Sequence, residues 1–85
     1  MAKTISLSVK VEQLGYVRAL IRELPSLNTV DAKRRSLRAI FQALTHMYPQ
    51  ETKGFKFNDI RIINHTINVE EDIERYVIVL DVKES

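Results

Sequence analysis

Eighty-five residues, 45% hydrophobic and 28% charged, describe one ordinary globular domain, too short for a second and too apolar for disorder. The absence of cysteine excludes disulfides and thiol catalysis, and no window approaches the roughly 20 apolar residues of a membrane span. Net charge is only +2, but residues 1–61 carry a balance of +6 and residues 62–85 one of −4, so a basic surface and an acidic one are expected.

The stretch TISLSVKV (Thr4–Val11) alternates Ile5, Leu7, Val9 and Val11 with Thr4, Ser6, Ser8 and Lys10, the period of a half-buried strand. The period then changes. In EQLGYVRALIREL, Leu14, Val17, Leu20, Ile21 and Leu24 fall at helical spacing, and Pro25 closes the segment. Arg18 and Arg22 lie four apart, adjacent on the other side of that helix. PSLNTVDA reads either as a short strand around Leu27–Val30 or as a connection, with Asn28, Thr29, Asp31 and Ser36 all able to cap a second helix. From about Arg34 to Tyr48 that helix is clear from the stripe Leu37, Ile40, Phe41, Leu44 and Tyr48, and Pro49 bars its continuation. After the polar turn QETKG, FKFNDIRIINHTINV is a long strand whose alternation slips near Asn58–Asp59 and again at Ile62–Ile63, as in a bulged or bent strand. EEDIE is a charged hairpin tip. RYVIVLDVK is apolar on both faces, with Tyr76, Ile78, Leu80 and Val82 against Val77 and Val79, which predicts a central strand or one whose second face a partner covers.

Catalytic chemistry has little to stand on. His46 and His65 lie on different elements without metal-ligand spacing, so a structural or solvated role is expected for each and no metal site. Glu70, Glu71 and Asp72 read as a solvated turn rather than a catalytic carboxylate pair. Gly15 and Gly54 are the only glycines, too few for a phosphate-cradling loop. No enzyme activity and no cofactor are expected.

The basic residues are more informative. Lys33, Arg34, Arg35 and Arg38 gather at the expected entrance of the second helix, where the helix dipole repels cations. At 100° per residue the three arginines share a flank about 60° to 160° from Leu37, clear of the apolar stripe. Lys33–Tyr48 contains no Asp or Glu that would pair with them. Phosphate at a helix N-terminus gains from both amides and guanidinium groups, so an external polyanion is the expected partner. Phe55 and Phe57 flank Lys56 in FKF, a pattern able to stack bases, although phenylalanines at a strand start more commonly belong to the core.

Strand, helix, short strand, helix, long strand, hairpin and strand is the order of the Alba family, small basic dimeric proteins that coat nucleic acid in archaea. ISLSVKVEQLGYVRALIREL resembles that family's opening strand, Lys-bearing loop and Y-V-x-A first helix, with Lys10 at the loop lysine. TVDAKRRSLRAIFQAL resembles its second strand and the helix after it, usually entered through K-A-x-G-x-A-I-x-K-A-V. Lys33 stands at the lysine, and Ala39–Ile40 and Ala43–Leu44 at the small/apolar pairs. NDIRIINHTINV and RYVIVLDVK resemble the closing strands and their long hairpin. The resemblance runs from Thr4 to Lys83. The family's glycine at the strand–helix turn is replaced within RRSL, with one extra residue, and Val11 and Glu12 stand where a second lysine and a proline often occur. The hairpin, basic in the family, is acidic here through Glu70, Glu71, Asp72 and Glu74.

The expectation is a two-layer α/β sandwich in β-α-β-α-β-β order: a mixed four-stranded sheet, its second strand short or absent, with two helices on one face. The expected function is largely sequence-independent binding of the DNA or RNA backbone by a homodimer. Lys10, Lys33, Arg34, Arg35 and Arg38 would contact phosphates, extended by Arg18 and Arg22. The opening MAKTISLS has no apolar run of signal length, so a cytoplasmic location is expected, nucleoid-associated if DNA is the target. Two other readings stay open. One is an interaction or regulatory protein engaging another protein through Glu70, Glu71, Asp72 and the two-sided strand. The other is a binder of a small anionic ligand at a dimer seam.

Overall fold

The computed structural model describes residues 2–84, with side chains described for all of them except 63–66. Three strands, β1 (Ala2–Lys10), β2 (Phe55–Asn68) and β3 (Ile73–Glu84), form one sheet in the order β1-β3-β2. Both neighbours of β3 run antiparallel to it. Helices α1 (Val17–Glu23) and α2 (Val30–Met47) cover one face, and a single turn, α3 (Pro49–Thr52), comes after α2. The result is the expected two-layer sandwich of helices on a sheet.

The pleat explains the layers. In register, Ile5 and Ile60 flank Leu80, and Leu7 and Ile62 flank Ile78, so one face of the sheet is apolar from edge to edge. Onto it α2 lowers Ile40, Phe41 and Leu44, and α1 lowers Val17 and Ile21, making one core with Leu7, Val9 and Val82. No helix among the described residues covers the other face. There Val79 is buried outside the core cluster, with Ser6 and Arg61 beside it in register. The two-sided strand is therefore central, as its composition predicts.

One open alternative is settled and two expectations need correction. The second strand, expected to be short or absent, is absent: Leu27–Val30 forms no strand, so the described sheet has three strands, all antiparallel. A 3-10 turn, Leu24–Ser26, prolongs the end of α1, and Thr29 already caps α2, which leaves too few residues between them for a ladder. The first helix is also shorter than its apolar pattern. Val11–Gln13 forms a 3-10 turn, and Gly15 takes φ +56, a left-handed conformation that glycine adopts without strain. Finally, α2 starts at Val30, four residues before Arg34, because the Thr29 hydroxyl accepts from the Ala32 amide at 3.1 Å.

Both slips in the alternation of β2 are real. Its register against β3 shifts between Phe57 and Asp59 and again between Ile62 and Asn64. At the hairpin tip the Asn68 side chain accepts from the amides of Glu70 and Glu71, and Asp72 takes φ 54, which a short polar side chain tolerates. The proline after α2 does not end helical structure outright. Tyr48 leaves helical geometry, Pro49 opens α3 where its missing N–H costs nothing, and the buried Thr52 hydroxyl donates to the Tyr48 carbonyl at 2.8 Å. The expected structural role of His65 lies outside the described side chains. No described helix is long and apolar enough to cross a membrane.

Candidate nucleic-acid interface

The early start of α2 changes the setting of its cations. The first turn holds Asp31, which suits the positive end of the helix dipole. Lys33 is the fourth helical residue, and Arg34, Arg35 and Arg38 fall in the second and third turns, beyond the amides left free at the N-terminus. The expected cooperation of guanidinium groups with a helix N-terminus is therefore not what positions them.

Their position comes from packing. With Ile40, Phe41 and Leu44 turned into the core and Leu37 partly buried against it, the three arginines are carried to the flank that overlooks the start of β2. There the Arg34 and Arg38 guanidinium carbons lie 5.5 and 5.6 Å from the centre of the Phe57 ring. Phe57 is itself anchored against Phe41, with ring centres 5.6 Å apart at 47°. Arg34 also donates to the Asn58 carbonyl at 3.4 Å. Asn58 sits at the first register shift of β2, where a bulge leaves backbone groups outside the ladder. The ring thus orients two guanidinium groups (each such contact is worth about 0.5–1 kcal/mol at an exposed site).

Arg34, Arg35 and Arg38, with Asp31, line one shallow open depression. Among the described residues none of these arginines has a carboxylate within 4.0 Å; the ion pair found there, Arg61–Asp81 at 3.5 Å, lies on the helix-free face of the sheet. The acidic hairpin does not reach them. Phe57 is level with Val82, whereas the tip joins Asn68 to Ile73, nine residues further along β3 or about 30 Å.

The other expected contacts do not join this cluster. Lys33 is exposed but about 100° round the helix from Arg34. Lys10 ends β1 opposite Arg75, seven positions along β3 from the level of Phe57, or about 23 Å. Arg18 lines a separate cleft with Glu12, Asp72 and Glu74, an acidic setting that competes with phosphate, and its Nε is buried without a hydrogen-bond partner among the described residues. Arg22 is exposed in the last turn of α1. The seven residues therefore divide into a cluster of three on α2 and a scattered remainder: Lys33 round the same helix, Lys10 at the hairpin end, and Arg18 and Arg22 on α1.

Sequence reasoning missed Phe57 and Asn58 as supports of the cluster. The slip in alternation at Asn58 marked the bulge, but nothing local links a strand residue to a helix twenty residues earlier. Comparison with protein-family models, with curated proteins and with solved structures finds no match to this chain.

Proposed function

We propose that this protein binds nucleic acid by its sugar–phosphate backbone, with Arg34, Arg35 and Arg38 as the principal contacts and Lys33 at the margin. The observation that carries the reading is the cluster itself: exposed guanidinium groups on one helix flank, two of them steadied by Phe57, without a carboxylate partner among the described residues. Guanidinium groups bind phosphate oxygens in pairs of parallel hydrogen bonds, and holding them in place beforehand lowers the entropic cost of that contact. The open depression suits an extended polyanion better than a small ligand, which needs enclosure on most sides. The resemblance to the Alba family points the same way, although its second strand has no counterpart here and its basic hairpin is replaced by an acidic one. On this reading the chain is a binding protein and not an enzyme.

Contacts to the backbone carry no base information, so affinity for unrelated DNA and RNA duplexes should be similar in kind and steeply salt-dependent. Three neutralised phosphates imply a loss of about forty-fold between about 50 and 200 mM salt. Fluorescence anisotropy with labelled duplexes tests this directly. The triple variant R34A/R35A/R38A should lose most of the affinity and most of the salt slope. A triple variant that binds as tightly as the parent would overturn the proposal.

A further inference from the structure

We propose that the chain self-associates through the outer edge of β1, which pairs antiparallel with β1 of a second copy to give a continuous six-stranded sheet. The inference goes beyond the functional reading and does not depend on it.

The order β1-β3-β2 leaves two edges, and they differ. β2 carries two register shifts, with Lys56, Asp59 and Arg61 along it, the devices by which proteins discourage strands from adding. β1 has no such shift, and its charges, Lys3 and Lys10, stand near its two ends. Its register against β3 is unbroken from Ala2 to Lys10, and Thr4–Val9 contains no charge, proline or glycine. A regular edge with an uncharged middle is a template for another strand.

The pattern of β1 identifies a second copy as the occupant. In an antiparallel pair about a two-fold axis through the sheet, opposed residues must lie on the same face, so residues of equal parity meet. Centred on Leu7, the pairing sets Leu7 against Leu7, Ile5 against Val9 and Ser6 against Ser8; centred on Ser6, it sets Ile5 against Leu7 and Thr4 against Ser8. In both registers Lys3 and Lys10 avoid facing one another, so no like charges oppose. The helices of both copies then lie on one side of the joined sheet, whose core faces become continuous. An 85-residue domain, marginal by itself, gains buried apolar surface in this way.

The test uses the full chain without nucleic acid, so its failure would leave the functional reading untouched. Ser6 and Ser8 are exposed, which allows substitution without disturbing the core. Sedimentation should show a dimer for the parent and monomers for S6K/S8K and for S6E/S8E, because like charges then oppose in either register. Mixing the two variants should restore a dimer. Circular dichroism checks that each variant is folded, and hydrogen exchange on the parent supplies a readout that needs no variant. With rising concentration, protection should increase at amides of Ala2–Lys10 and not of Phe55–Asn68. A monomeric parent, a dimer that persists in S6K/S8K, folded variants that fail to pair when mixed, or protection appearing on β2 would each overturn the proposal.

Discussion

Phe57 links stability to recognition. Its ring packs on Phe41 and steadies Arg34 and Arg38. Phe57→Leu keeps most of the volume at this half-buried position but removes the aromatic face. Thermal unfolding should show a loss of about 1 kcal/mol, within the range of volume-conserving exchanges. Duplex affinity should fall about three- to five-fold, as two guanidinium groups regain rotamers that binding must then freeze again. Thr29→Ala makes the contrast. Loss of the cap should cost about 1 kcal/mol of stability by the same melt, with affinity within two-fold of the parent, roughly the spread between distant, independent sites. Thr29 was legible only as one of four candidate caps. The apolar stripe of α2 becomes regular only at Leu37, and the residue after the cap, Val30, is 73% exposed, so periodicity could not mark the true beginning. The arginines were therefore assigned to a first turn they do not occupy.

At the scale of elements, the sheet decides which cations can act together. Lys10 and the α2 arginines both belong to the basic part of the chain, but the end of β1 and the start of β2 meet β3 at levels about 23 Å apart. The double variant K10A/R22A should accordingly leave duplex affinity within about two-fold of the parent in the same titration, a small exposed-charge effect. A loss as large as that of R34A/R35A/R38A would move the phosphate path away from the flank of α2, to the end of β1 and to α1. Much of this layer could be read beforehand. Period-two slips at Asn58 and Ile63 announced both bulges because a strand packed on one face must keep its apolar residues turned inward. The segment around Leu27 could not be resolved, since Leu27 and Val30 suit a strand while Thr29 and Asp31 suit a helix start. Local capping prevailed there.

The whole molecule extends 41 × 32 × 18 Å, with the arginine cluster toward one end of the sheet and Glu70, Glu71 and Asp72 at the hairpin tip beyond the other. Charge asymmetry between the two parts of the chain was visible in the sequence. The separation was not, because pairing between distant segments sets it. That separation decides whether the acidic tip opposes binding. Along β3 the tip stands about 30 Å from the level of Phe57, and in the edge-paired dimer the second copy's tip comes no nearer than about 20 Å. Screening acts over about 8 Å at physiological ionic strength and about 30 Å at 0.01 M. Replacing Glu70 and Glu71 by Gln and Asp72 by Asn should therefore leave duplex affinity unchanged at about 0.15 M salt and strengthen it measurably only near 0.01 M. Anisotropy titrations of this variant and the parent at both concentrations make the comparison. A marked gain at 0.15 M would place the ligand within reach of the tip, and the binding surface would then have to run the length of the sheet rather than stay at the flank of α2.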